Sequence, residues 1–220
     1  MNPPASGEPS QQTILDHFYG GTFSVAPGGL NFSNGTLTAV RVSDNLPSSS
    51  SSANPGPDAT DRFWQANAVY ANAKAIFSAT PASSFGYING TSGGSYHSLF
   101  SITGDDYTVS GSGSIPNPQG QTWRWGFQSQ FGLLSSNYTD NPGGTDHMVT
   151  YQLQGLNDNF TTWLLFFEDN GASGTNADFD FNDLVVELKT NPTSTVPEPG
   201  TILICTGAGL LMLRRWRYPM

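Results

Sequence analysis

Glu168 and Asp169, followed by Asp178, Asp180, Asn182 and Asp183 in the run DFDFNDLVV, concentrate oxygen ligands near the end of the chain. Like-charged Asp178, Asp180 and Asp183 repel one another unless water or a cation lies between them. Residues two apart on an extended segment share a face. Asp178, Asp180 and Asn182 are therefore expected to present oxygens together while Phe179 and Phe181 turn inward as anchors. Hard oxygen ligands, no His or Cys, and a Gly-rich neighbourhood point to calcium. Glu168 and Asp169, ending the previous strand, complete the shell if the two strands pair as a hairpin. Two other readings stay open: an Asx-rich turn whose side chains cap their own amides, and a catalytic carboxylate pair across a cleft. Nothing sets one acid's pKa apart from another's, so no catalytic residue is assigned.

Other chemistries find little support. The single cysteine, Cys205, lies in an apolar C-terminal tail, which leaves the body without thiol chemistry, disulfides or Cys-ligated zinc. His17, His97 and His147 lack HxxxH or HExxH partners, and His147 beside Asp146 reads as a polar pair at a strand start. Ser95 and Ser112 sit in loops unlike the GxSxG elbow of hydrolases. Trp64, Trp123, Trp125 and Trp163 have the rings to stack on sugars, but strand tryptophans belong more often to a core. The formal charge is −9, and without Glu198, Arg214, Arg215 and Arg217 the body carries about −11. Such a body repels phosphate backbones, which disfavours nucleic acid. Cations, neutral glycans, or anionic polymers bridged by a divalent metal are its natural partners.

Residues 196–217 read VPEPGTILICTGAGLLMLRRWR. Thr201–Leu213 as a helix spans about 20 Å, short of the roughly 30 Å hydrocarbon core. The run is marginal as a permanent anchor and adequate as a transient one. Arg214, Arg215 and Arg217 act as a stop that holds the C-terminus in the cytoplasm and leaves the preceding chain outside. Pro197 and Pro199 block helical continuation upstream and present an extended segment to a protease. The competing reading is a buried C-terminal core helix with a basic end.

This tail resembles the PEP-CTERM sorting domain of Gram-negative bacteria, with the tripeptide at Pro197, Glu198 and Pro199, the hydrophobic span and the arginine finish. The resemblance implies processing by an exosortase, a membrane cysteine protease, and a role at the cell surface or with exopolysaccharide. Met1–Gln12 has neither a basic n-region nor an apolar h-region. Export then implies either a true start further upstream, the favoured reading, or an unusual export route. The body is similar to a module of exported bacterial β-sandwich domains: an F-E-D turn, then D-x-D-[FY]-N-D and a hydrophobic run, with Gly144-Thr145-Asp146-His147 and Tyr151 ahead of them, over roughly residues 120–190. The DxDxN spacing resembles the opening of an EF-hand loop, but Asp183 replaces its glycine and Lys189 its bidentate glutamate.

The rest of the chain must position these groups. Phe18–Val25 and Thr36–Val42 read as strands split by Pro27-Gly28-Gly29 and Asn34-Gly35. Ser43–Asp58 is a low-complexity surface loop. Asp61–Thr80 stays open: its alanines suggest a helix, yet Phe63, Val69 and Phe77 give no clean helical stripe. From Phe85 onward short β-branched and aromatic runs alternate with turns. In Trp123–Phe131, Trp123, Trp125, Phe127 and Phe131 point one way, and Arg124, Gly126 and Gln128 the other. Trp163–Phe167, apolar without alternation, reads as a central strand covered on both faces.

The expected fold is all-β, an antiparallel, jelly-roll-like β-sandwich with a short C-terminal hydrophobic helix. Residues 1–16 are expected to be disordered, 17–190 to form the sandwich, 191–196 a linker and 197–217 the sorting tail. The function expected is that of an exported, non-enzymatic, calcium-stabilised surface or extracellular-matrix protein. The alternatives are a surface hydrolase acting on polysaccharide and a permanently membrane-anchored glycan-binding protein.

Overall fold

A computed structural model describes residues 4, 7–26, 30–42, 61–66, 69–77, 83–115, 121–169 and 180–190. One helix, α1 (Gln11–Tyr19), precedes β1 (Ser24–Val25), β2 (Phe32–Ser33), β3 (Thr38–Arg41), β4 (Val69–Ile76) and β5 (Ser84–Asn89). There follow β6 (Tyr96–Ser101), β7 (Ser112–Ile115), β8 (Trp123–Ser129), β9 (Gly132–Ser135), β10 (Met148–Gln154), β11 (Thr161–Phe167) and β12 (Leu184–Thr190). Among the described residues, eight strands form one sheet in the order β1-β2-β3-β10-β11-β12-β4-β7, and four form another in the order β6-β5-β8-β9. The pairings between described strands are antiparallel.

Side-chain alternation explains why the sheets stack. Met148, Leu165, Phe167, Leu184, Val186 and Leu188 leave one face of the large sheet and pack with Phe85, Phe100, Trp123, Trp125 and Phe127 of the small one. Phe85 stacks on Trp125 at 5.2 Å and Phe127 meets Phe167 edge-on at 5.8 Å, the offset and T-shaped arrangements that aromatic rings prefer. The intervening residues Val149, Tyr151, Leu153, Leu164, Phe166 and Val185 leave the opposite face and form a second core with Ile14, Leu15 and Phe23. β11 is therefore covered on both sides, as its unbroken apolar run predicts.

The N-terminal expectation is corrected: residues 11–16, expected to be disordered, open α1. Ser10 caps the helix by accepting from the Thr13 amide at 3.2 Å, and Ile14 and Leu15 are almost wholly enclosed. Two adjacent apolar residues suffice here because the sheet supplies the other half of the interface. The expected strand Phe18–Val25 shrinks to β1, since α1 consumes Phe18 and Tyr19 and Gly20-Gly21, both at positive φ, end it. Among the described residues of Asp61–Thr80, β4 forms and no helix does. Val69, Ala71 and Ala73 face inward and Tyr70 and Asn72 outward, a period of two.

β8 also differs from its expectation. Arg124 does point away from Trp123 and Trp125, but it is 1% exposed. The segments around Asn89–Gly93 and Asn137–Asn141 cover it, and its guanidinium donates to the Asp140 carboxylate and to the carbonyls of Gly93 and Asn89. Phe131 lies past the strand in the turn and is exposed. Gly86 has a distinct reason to be glycine: a Cβ there would fall 2.1 Å from the His97 carbonyl oxygen, across the register shift that joins β5 to β6. Among the described residues no helix is long and apolar enough to cross a membrane. The Ser43–Asp58 loop, the 191–196 linker and the 197–217 tail with its expected helix lie outside the described residues.

Candidate metal centre

Strand register builds the site. β11 and β12 pair antiparallel with Phe167 opposite Leu184, so the next residue out on each strand, Glu168 and Asp183, must face each other. Asp169 follows Glu168, and its amide donates to the Asp183 carboxylate at 2.7 Å. Glu168, Asp169 and Asp183 each offer a carboxylate oxygen within 4.8 Å of the others. Their exposures are 0%, 1% and 3%. Neighbouring strands fix the backbone around them: the Glu168 amide donates to the His147 carbonyl at 3.0 Å, and the Phe77 amide to the Asp183 carbonyl at 3.0 Å.

The electrostatics are those of crowded anions. Burial, then the Glu168 and Asp169 carboxylates, push the Asp183 carboxyl up to about 10, and the hydrogen bond from the Asp169 amide pulls the other way. Without a cation, Asp183 holds its proton at neutral pH. His147 does not supply the missing charge. Its Nδ1 lies 3.1 Å from the Glu168 carbonyl oxygen, which only accepts, so the proton sits on Nδ1. Burial lowers the imidazole's pKa and keeps it neutral. The adjoining Asp146 is likewise buried, and its carboxylate accepts from the Met148 amide at 3.2 Å. The pair thus sits at the start of β10, where the sequence places it.

Three of the six expected ligands are brought together, and two are not among them. Asp180 and Asn182 are buried, but the Asn182 amide donates to the Asp180 carboxylate at 2.9 Å and to the Pro9 carbonyl at 2.9 Å. Asp178 lies outside the described residues. The single extended face expected for this run does not form through residue 181, because Phe181 adopts φ +57° and breaks the two-residue alternation. Its ring is nonetheless buried as expected, in the core beneath α1.

Gln11 is the residue that sequence reasoning missed. Its amide donates to the carbonyls of Asp180 and Phe181, both at 3.2 Å, and accepts from the Tyr151 hydroxyl at 2.9 Å. The α1 N-terminus thereby clamps the loop that leads into Asp183. A glutamine preceding Ile14-Leu15 carries no sequence signal for that role.

The geometry suits calcium. Two oxygens sharing one ion at about 2.3–2.6 Å lie no more than about 5.2 Å apart, a limit the trio meets. Three carboxylates would supply part of a shell of about six to eight oxygens, with carbonyls or water completing it. A glycan chain has no comparable access, since all three groups are enclosed. Comparison with known protein families, with curated proteins and with solved structures finds no match.

Proposed function

We propose that this protein is a non-enzymatic, jelly-roll-like β-sandwich of the cell surface or extracellular matrix, stabilised by calcium at Glu168, Asp169 and Asp183. The observation that carries the calcium reading is the convergence of three enclosed carboxylates at the open end of the β11–β12 pair. A divalent ion there replaces the proton on Asp183, relieves the repulsion, and ties the two strand ends together. Delivery rests on the C-terminal tail: exosortase recognition at Pro197-Glu198-Pro199, transient membrane residence, and a stop at Arg214, Arg215 and Arg217.

Thermal unfolding of chelated protein titrated with calcium tests the first part. A free ion concentration of a hundred Kd adds about 2.7 kcal/mol, which at this size raises Tm by roughly 5–11 °C. Asp183→Asn should abolish the response. A melting temperature indifferent to calcium sinks the reading. Were the protein a surface polysaccharide hydrolase using these acids, the same variant would lose turnover and keep its fold. Mass spectrometry of cell-associated and released protein tests delivery. An arginine cluster retained on the mature form rules out processing and leaves the permanently anchored alternative.

A further inference from the structure

The outer face of the large sheet is only partly roofed by α1. The helix ends over β12 and β4, where the Tyr19 hydroxyl donates to Glu187 at 2.6 Å and the Phe18 ring lies 4.6 Å from Lys74 Nζ. Beyond that point the register lays out a polar grid across three strands. Lys189, Tyr70 and Ser114 form one row, and Glu187, Asn72 and Ser112 the next. These six residues line a groove of about 360 Å³. Tyr70, at 53% exposed, stands out from it, and the exposed Phe160 meets the Tyr70 ring at 6.3 Å and 79°, so that the two make a corner.

Charge decides what such a groove accepts. Lys189 Nζ is 2.9 Å from Asp158, and Glu187 faces Lys74 at 3.9 Å while accepting from Tyr19. The charged groups of the floor are thus paired within the protein, and the molecule around them is strongly acidic. A polyanion is repelled. What remains is an exposed ring beside an amide and two hydroxyls, each of which both donates and accepts. That is the complement of an uncharged molecule with apolar C–H faces and many hydroxyls.

We propose that this groove binds a neutral polysaccharide, one pyranose ring stacking on Tyr70 in the corner with Phe160 while its hydroxyls bond Asn72, Ser112 and Ser114. The inference deepens the matrix role proposed above by naming a glycan class. It uses a site separate from the acidic trio, so binding in vitro and calcium response fail independently.

Native gel electrophoresis through hydroxyethyl cellulose, mixed-linkage β-glucan, galactomannan and dextran, with alginate as the polyanion, tests it. At least one neutral polymer should retard the protein. Tyr70→Ala should weaken that retardation about tenfold or more and lower Tm only slightly, through the lost contact with Phe160, while the fold is retained. Asn72→Ala, less exposed to any folding objection, should weaken it by a smaller factor, and Phe131→Ala, in a distant turn, should leave it intact. Unretarded migration in all four neutral polymers overturns the proposal. So does retardation that survives both Tyr70→Ala and Asn72→Ala, or a preference for alginate.

Discussion

The large sheet buries one face under four strands and part of the other under a nine-residue helix with its neighbouring loops, and the two interfaces are built from different materials. Between the sheets the contacts are ring on ring and aliphatic on ring, including Trp123, Trp125, Phe85, Phe127 and Phe167. Under α1 the apolar set is accompanied by a buried polar chain running from Tyr151 through Gln11 to the Asp180 and Phe181 carbonyls. Shape complementarity holds the first interface in register. In the second, hydrogen bonds add to the apolar packing, and their low-dielectric setting makes each one costly to lose. The helix side is therefore the one that couples the N-terminal segment to the acidic loop.

The largest effects of a single substitution should come from cutting each core at its densest point. Trp125→Ala should cost about 3–5 kcal/mol, and Leu15→Ala about 2–5 kcal/mol, both read from urea midpoints. A Leu15→Ala cost under about 1 kcal/mol would mean that α1 rests on the sheet without forming a core, and the comparison would break.

The next effect follows pH. Asp183 is held protonated in the folded protein up to about 10, whereas an unfolded aspartate ionises near 3.9. Between those limits the folded state binds the extra proton, so the chelated protein should lose stability as pH rises from about 4 to about 10. The slope for one such proton reaches about 1.4 kcal/mol per pH unit. Calcium should flatten it by displacing that proton, and so should Asp183→Asn, which cannot ionise. Urea titrations at pH 5, 7 and 9 with and without chelator decide this. A chelated protein equally stable at all three values contradicts the crowding on which the calcium reading depends.

Such residues show what the sequence makes legible. Glu168 and Asp183 face each other because β11 and β12 pair as a hairpin, and the apolar run Trp163–Phe167 and the DLVVEL segment announce that pairing openly. Sequence alternation misplaces Asp180 and Asn182 because a phenylalanine at positive φ leaves no trace in composition, unlike a glycine. β4 was ambiguous since alanine suits a helix and also suits the close packing between sheets. α1 was invisible because its burial depends on the large sheet, which lies far along the chain from Ile14 and Leu15.

A smaller effect sharpens the polar half of the comparison. Gln11→Ala removes the bonds to Asp180, Phe181 and Tyr151 and should cost about 1–3 kcal/mol. Tyr151→Phe should cost less, and the double variant should fall short of the sum, since the two side chains share one hydrogen bond. Strict additivity in that cycle would show the two residues acting separately and dissolve the chain from helix to loop.

The smallest expected effect lies at the rim of the helix interface. Lys74 sits 3.9 Å from Glu187 with its ammonium over the Phe18 ring. It is partly exposed, so solvent and salt screen the charge and Lys74→Ala should cost about 0–1 kcal/mol. Two contributions are mixed in that figure: the ammonium, and the alkyl stem lying along the rings. Lys74→Met keeps the apolar length and removes the charge. If packing governs this edge as it governs the space between the sheets, methionine should restore most of the loss, and added salt should change neither variant relative to the parent. If charge governs it, methionine should fall with alanine and the gap to the parent should narrow as salt rises. The acidity of the surrounding body favours the second outcome, because removing Lys74 leaves the Glu187 carboxylate with the Tyr19 hydroxyl and with Lys189, whose ammonium is already paired to Asp158.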